Sequence, residues 1–402
     1  MKRNLPLTFI MVTLVIDAMG IGLILPVMPD LLREVDGGDL GDAAIWGGIL
    51  ATIFAAMQFI CGPTLGNLSD RFGRRPVLLI STAILAVDYI VMAVAGSIWL
   101  LLVARIIGGI TSATQSTATA FIADISKPEE KAARFGLSGA AFGVGFVLGP
   151  VIGGLLAEYG TRAPFYAAAA LAALNTLWGF FILPETVTDA IRRPFRWTRA
   201  NPFGAFLHVG RVAGTNRLLL LFFLYEFAFL VYPAVWAYFT KARFGWDPTM
   251  VGISLASFGI AMAVVQGGLI RLILKWLGAV NTVIYGFVFN FFAFLALATV
   301  SSGALALVLT PLTALGAVVT PALQAMISDK AGRDSQGEIQ GVVSSVRSVA
   351  AILSPLVMTQ IFAAATSEGF LIALPGAPFL LSMVLMLVCG TVYVSGLDRR
   401  QA

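Results

Sequence analysis

The chain has 402 residues, of which 58% are apolar and only 12% charged, against about 25% charged in an ordinary soluble domain. A surface so poor in charge is solvated by lipid rather than water, which excludes a cytosolic enzyme, a secreted disulfide scaffold and a nucleic-acid-binding domain. The net charge of +5 acquires meaning only once the charges are placed along the chain.

The opening Met1-Lys2-Arg3 ahead of an apolar run imitates a secretory signal. That run continues to Leu32 without a small-residue cleavage site, so it is expected to be retained as a first span. Apolar stretches long enough to cross a bilayer, ~20 residues each, recur at 7–32, 44–66, 76–96, 98–123, 134–157, 163–183, 217–240, 249–272, 279–300, 303–327, 339–364 and 370–396. Inside lipid a backbone must satisfy its own hydrogen bonds, which makes these stretches helices; the residue alternation of a membrane barrel is missing. The expected fold is therefore an all-α polytopic membrane protein with 12 transmembrane helices in two pseudo-symmetric six-helix bundles. The long polar interval at 184–216 divides the chain into an N-terminal bundle (1–183), a linker (184–216) and a C-terminal bundle (217–402). Within the linker, Phe195, Trp197, Phe203 and Phe206 interleave with arginines, which suits either a segment lying on an anionic membrane face or a tolerant connection. His208 reads as a solvated loop residue. With one histidine and two cysteines in apolar runs, Cys61 and Cys389, neither a disulfide framework nor a Cys/His metal site can be assembled. No metal and no cofactor are expected.

An even number of spans places both termini on one side. If that side is the cytoplasm, its loops hold 20 of the 26 basic residues, while the opposite loops hold only Arg33, Arg162, Lys241 and Arg243. The positive-inside rule then orients the chain in the cytoplasmic (inner) membrane with both termini cytoplasmic. At a constant offset of 205 residues, Gly73 matches Gly278, Asp124 matches Asp329, Gly136 matches Gly341 and Pro150 matches Pro355. Four matches in one register suggest duplicated six-helix units, an architecture that transporters use.

Three motifs carry the chemistry. Between spans two and three stands Gly66-Asn-Leu-Ser-Asp70-Arg71-Phe-Gly73-Arg74-Arg75-Pro76. It reads as a tight turn in which Gly73 permits close backbone approach. Asp70, among three arginines, can pair with a base and with the positive end of a neighbouring helix; the plainer alternative is a positively charged inside turn. In span five, Gly145, Gly149 and Gly153 lie four apart on one helical face, with Pro150 and Gly154 between and after them. Such glycines let two helices approach closely, and the proline bends the helix. Span eleven carries a weaker echo at Ala350, Ser354 and Pro355. Span one reads Asp17-Ala-Met-Gly20-Ile-Gly22-Leu-Ile-Leu-Pro26-Val-Met-Pro29.

The loop string resembles the signature loop of the major facilitator superfamily, and the span-five string resembles the antiporter motif of its exporters. Together with span one, Phe244-Gly245-Trp246, Met250-Val251-Gly252 and Pro321-Ala322-Leu323-Gln324, they resemble the tetracycline-resistance group of proton-coupled drug exporters, over residues from about 10 to 365. The resemblance implies a multi-pass protein, monomeric by default, whose partners are a small-molecule substrate, protons and the bilayer. It also implies a cytoplasmic gate at Gly66, Asp70, Arg71, Gly73, Arg74, Asp124 and Arg134.

Ionisable residues inside spans each cost a few kcal/mol at the bilayer centre, and here they are few: Asp17, Asp88, Arg105, Glu226 and Arg347. A carboxylate shielded from water can load a proton, so Asp17, Asp88 and Glu226 are proton-coupling candidates, with Arg105 and Arg347 as charge partners. The alternatives are static ones. Asp17 can serve as a helix-to-helix hydrogen bond, Arg105 as a lock between helices, and Glu226–Arg347 as a fixed buried pair. Substrate-cavity candidates are Gln58, Gln115, Tyr225, Tyr232, Trp236, Met262, Gln266, Asn290 and Gln324, with Gln360 also polar within a span. The aromatic stripe on span seven reads equally as packing or as a drug-binding wall. At two positions the chain departs from the tetracycline pattern, carrying Asn290 where those exporters have an aspartate and Met262 where they have a polar or ionisable group.

Three functions fit these features to different degrees: a proton-driven drug antiporter, a facilitator or importer of a small metabolite without proton antiport, and a non-transporting receptor or membrane enzyme. Against an enzyme stand the lack of a metal cluster, of a nucleophile beside a histidine and of a nucleotide-binding loop.

Overall fold

The computed structural model describes residues 5–112, 114–189, 192–204, 215–330, 336–367 and 373–401. Lys2, Arg3, Phe206, His208, Arg211 and Arg333 lie outside the described residues. Those described form helices and connections without a strand. Among the described residues, eleven segments are long and apolar enough to cross a membrane. One of them, Pro248–Thr299, has 52 residues, or roughly 78 Å at 1.5 Å per residue, more than twice the ~30 Å hydrocarbon core.

Several expected spans are broken, each for a local reason. The first splits into α1 (Leu5–Ile24) and a short α2 (Met28–Asp36), separated by a turn that holds Pro26. A proline removes the amide that would bond one turn back, and Pro29 then sits in the first turn of α2, where that loss is harmless. Gly37, with φ of 72°, ends α2. Helix α3 (Leu40–Phe72) runs unbroken through Pro63, and α4 (Arg74–Val94) follows after the single residue Gly73. The fourth span divides at Ser112 into α5 (Ile98–Thr111) and α6 (Thr114–Ile125). Helices α7 (Pro128–Leu156) and α8 (Ala163–Ile182) are continuous.

In the second half, α9 (Asn216–Phe229) and α10 (Val231–Phe244) meet at Leu230 within what reads as one span. Helix α11 (Pro248–Val264) passes through a π-helical turn, Val265–Leu269, into α12 (Ile270–Thr299). Gly278 in α12 has φ of 72° and breaks the helical path, at the gap between the stretches expected at 249–272 and 279–300. Helix α13 (Gly303–Thr313) joins α14 (Val319–Lys330) through a tighter 3-10 turn, and α15 (Gln336–Thr366) and α16 (Ala377–Gln401) complete the chain.

Contacts divide the molecule into two compact units. The first comprises Met1–Gly37, Ile53–Pro202 and Asp247–Ala256; the second comprises Gly38–Thr52, Phe203–Trp246 and Ser257–Ala402. In the first unit α1 packs along α7, and α4 packs against α8 and α5. Its core gathers Phe9, Ile10, Leu14, Leu78, Phe121 and Ile122. In the second unit α12 packs along α16, and α9 against α15 and α16. Large apolar side chains also point outward, among them Trp99, Phe181 and Trp276, which are more than half exposed. An outer surface of this kind has lipid as its solvent.

Candidate functional site

The span-five glycines work as a contact face within the first unit. A Cβ at Gly145 would lie 2.2 Å from the Val15 carbonyl oxygen, one at Gly149 2.6 Å from that of Met19, and one at Gly153 2.3 Å from that of Leu23. Three successive turns of α7 thus rest directly on the backbone of α1, and any side chain there forces the helices apart. Gly154 lies against the start of α11, where a Cβ would stand 2.6 Å from the Pro248 carbonyl and where Thr249 Oγ1 donates to the Gly154 carbonyl at 3.1 Å. Pro150 sits inside α7 and leaves its carbonyl 2.2 Å from a Cβ built on Gly252.

Asp88 and Arg105 meet. They are 17 residues apart, on α4 and α5, and the Arg105 guanidinium donates to Asp88 Oδ2. Asp88 is 3% exposed and the Arg105 side chain 12%. The guanidinium also reaches Met92 Sδ at 2.7 Å and lies over the Phe54 ring at 5.1 Å, a cation–π contact. Asp88 Oδ1 has no hydrogen-bond partner among the described residues. Asp17, on α1, is half-buried. The Tyr89 hydroxyl would stand 2.3 Å from a Cβ on Gly20 of α1.

In the second unit Glu226 and Arg347 meet across 121 residues, from α9 and α15. Arg347 Nε donates to Glu226 Oε2 at 3.2 Å and its terminal nitrogen to Oε1 at 3.4 Å. Thr320 of α14 donates its hydroxyl to Oε1 at 2.7 Å. Glu226 is 13% exposed and Arg347 47%, with the guanidinium over the Phe222 ring at 5.5 Å. The sequence did not single out Thr320, because threonine inside a span usually bonds its own helix.

At the loop between α3 and α4, Arg74 bonds Asp70 at 2.6 Å and Asp124 Oδ2 at 3.2 Å, and it donates to Ser69 Oγ at 2.5 Å. Of the three arginines around Asp70 only Arg74 pairs with it: Arg71 lies over Phe72, and Arg75 donates to the Phe180 carbonyl at 2.7 Å. Arg134 stands apart, bonded to Glu130 at 2.9 Å, the Ile125 carbonyl at 3.0 Å and Ser126 at 3.2 Å. Gly66 accepts from Ser69 Oγ at 2.9 Å and has open space where a side chain would stand. Gly73 has φ of 112°, a backbone that disfavours any other residue.

The cavity candidates separate into open and packed groups. Gln58 and Gln115 line a cavity of about 600 Å³ in the first unit, together with Gly66, Ser112, Ser116 and Thr119. Tyr225, Tyr232 and Trp236 are buried; Tyr232 stacks on Phe258 at 5.3 Å and Trp236 sits edge-on to Phe379 at 6.2 Å. Phe229, between them on the stripe, is half-buried. Asn290 is fully buried and donates to the carbonyls of Gly286 at 2.7 Å and Gly316 at 2.9 Å; the Tyr225 hydroxyl donates to the same Gly316 oxygen at 3.0 Å. Gln266 is exposed, on the π turn, and Met262 half-buried beneath it with 3.6 Å between nitrogen and sulfur. Gln324 is half-buried and Gln360 exposed.

Apolar helices long enough to cross a membrane, with buried ion pairs and a glycine contact face, define a polytopic membrane protein, and the comparisons show which kind. Residues 10–355 match the Major Facilitator Superfamily model, and the chain belongs to that superfamily. More particularly, it is 40% identical over 389 residues to tetracycline resistance protein, class C, of Escherichia coli, covering 97% of this chain and 96% of that protein. It is 36% identical to the class B protein of Escherichia coli over 88% of this chain and 87% of that one. It is 28% identical to multidrug resistance protein 1 of Bacillus subtilis (strain 168), over 90% of each. Among solved structures it resembles the human organic anion transporter MFSD10 (TETRAN), with a TM-score of 0.70 and 26% identity over 97% of this chain and 99% of that one. The chain is thus an integral membrane transporter of tetracycline-resistance-like type.

Proposed function

We propose that this protein exports a small amphipathic drug across the cytoplasmic membrane in exchange for protons, by alternating access, as a monomer made of two six-helix halves. Both termini and the 184–216 linker face the cytoplasm, where the positive-inside distribution puts most lysines and arginines. The relatives named for tetracycline and multidrug resistance support a drug as cargo. Nothing in the chemistry calls for a metal, a cofactor or a nucleic acid.

The observation that carries proton coupling is Asp88. Its carboxylate is buried in an apolar bundle, one oxygen is held by Arg105, and the other lacks a partner among the described residues. A half-satisfied buried carboxylate is a natural place for a proton to land, because protonation meets the unfilled lone pair and releases the arginine. Asp17 on α1 offers a second carboxylate in the same unit, and Glu226 a third, held by Arg347 and Thr320. The cluster at Asp70, Arg74 and Asp124 gates the cytoplasmic mouth.

The test is purified protein in liposomes under an imposed pH gradient, with tetracycline and other amphipathic drugs added in turn. Substrate-induced proton movement is expected, and Asp88→Asn and Asp17→Asn should each abolish or sharply reduce it. If no drug moves protons and neither variant differs from the parent, the antiport reading fails; transport indifferent to the gradient would favour a facilitator.

A further inference from the structure

We propose that Glu185, in the segment following α8, is a positioning residue that seats Arg74 between Asp70 and Asp124. The proposal deepens the export reading and rests on it for its transport measurement.

The start of a helix leaves its first amides without intrahelical partners, and Gly73, at the cap position of α4, has no side chain to supply one. Glu185 supplies it from 111 residues away. Its Oε1 accepts from the Arg74 amide at 2.9 Å and its Oε2 from the Arg75 amide at 3.2 Å. The same Oε1 accepts from the amides of Thr186 and Val187, each at 2.9 Å, so the carboxylate is gripped by its own loop as well as by α4. A negative charge at this position also matches the positive end of the helix.

The adjoining residues extend the hold. Thr186 Oγ1 donates to Asp124 Oδ2 at 3.1 Å, the oxygen that Arg74 Nε reaches at 3.2 Å. Further along the linker, the Arg193 amide donates to the Asp70 carbonyl at 3.2 Å, and Asn67 Nδ2 donates to the Arg196 carbonyl at 2.7 Å. The first part of the linker is therefore a strap across the α3–α4 loop. Gly73 is matched to it twice over: its φ of 112° suits glycine, and a Cβ there would stand 2.1 Å from Glu185 Oε2.

A residue that only caps α4 would alter folded yield and leave the rate per folded transporter unchanged. A residue that places Arg74 for gating acts through the Arg74–Asp124 contact, which gives two distinguishing readouts. In liposomes, with rates normalised to folded transporter, Glu185→Ala is expected to lower the maximal efflux rate about tenfold and Glu185→Gln about threefold, on the scale of charge-assisted hydrogen bonds. Glu185→Asp should recover part of the rate, and KM for the drug should stay within about twofold. In an Asp124→Asn background, Glu185→Ala should lower the rate by less than about twofold further. Full multiplication of the two losses, or unchanged rates in the Glu185 variants, overturns the proposal.

Limited trypsin digestion of the full chain supplies a readout that needs no drug. Arg192 and Arg196 are exposed on the strap, and Glu185→Ala should speed cleavage there about fivefold as the anchoring bonds are lost. Unchanged cleavage overturns the proposal even if the parent exports drug. If the parent exports no drug at all, the export reading fails and the digestion alone decides the role of Glu185.

Discussion

The Asp88–Arg105 pair makes the sharpest quantitative prediction. Both groups are nearly withdrawn from solvent, at 3% exposure for Asp88 and 12% for the Arg105 side chain. Neutralising one leaves the other as an uncompensated charge in an apolar bundle, which in buried pairs costs about 3–5 kcal/mol. Replacing both with neutral groups of similar size removes the stranded charge and with it most of that penalty. The cycle therefore comprises Asp88→Asn, Arg105→Gln and the double variant, each purified in one detergent and followed by thermal unfolding with intrinsic fluorescence. Asp88→Asn is expected to be the worse single change, because Arg105 cannot shed its charge and keeps only Met92 and the face of Phe54, whereas Asp88 left without Arg105 can take up a proton and become neutral. The double variant should lie within about 1–2 kcal/mol of the parent. Transport gives the opposite ranking: a double variant restored in stability still lacks the carboxylate and should move no protons. Additive destabilisation in the double variant would refute the reasoning, since it would mean that the two groups do not compensate each other.

Gly149→Val should reduce the folded yield severely, measured by size-exclusion chromatography of a fluorescent fusion, because the new side chain meets the backbone of α1; overpacking of this kind costs about 1–3 kcal/mol or more. Gly66→Ala, with open space at the same atom, should fold like the parent and serve as the control. Trp236→Ala should cost about 3–5 kcal/mol in unfolding experiments and leave the drug preference of the remaining folded protein unchanged, since Trp236 is buried in packing with Phe239, Trp246 and Phe379. Thr320→Val removes one hydrogen bond to Glu226 while Arg347 remains; a loss of about 1 kcal/mol is expected, seen as a modest fall in unfolding temperature.

Scarcity made the ion pairs legible. With almost every span residue apolar, Asp88, Arg105, Glu226 and Arg347 stood out one by one, yet nothing in the order of residues says that Glu226 meets Arg347 across 121 positions. Helical periodicity showed that Gly145, Gly149 and Gly153 share a face; that the face receives α1 is a matter of tertiary packing. Local chemistry also set the breaks. Pro26 and Pro29 lie in plain sight, but an unbroken apolar run hides the turn they make between α1 and α2. The internal repeat carries structural content at its first match, because Gly73 and Gly278 both adopt positive φ, at 112° and 72°. At another match, Pro150 and Pro355 both lie inside long helices, α7 and α15. Aromatic spacing on α9 and α10 was equally readable, but spacing alone does not distinguish a cavity wall from a core.

The same distinction explains why the loop between α3 and α4 yielded only half its contacts. Asp70 and Arg74 are four residues apart on either side of Gly73, close enough in sequence for the pair to be expected, and they bond at 2.6 Å. Asp124 comes from another helix and Glu185 from the segment after α8, and they reach Arg74 only because α6 and the chain leaving α8 deliver them there. Arg134, equally basic and near in sequence to Asp124, is drawn instead to the carbonyl that ends α6. Charge type and loop position are thus weak guides to partnership, since a helix end presents unsatisfied backbone groups that compete with carboxylates for the same arginine. By that competition Arg134→Ala should weaken the end of α6 and leave the Asp70–Arg74 bond in place. The reverse experiment, Arg74→Ala, should release Asp70 and Asp124 together. A transport defect in Arg134→Ala as deep as that in Arg74→Ala, at equal folded yield, would show that the two arginines act in one gate.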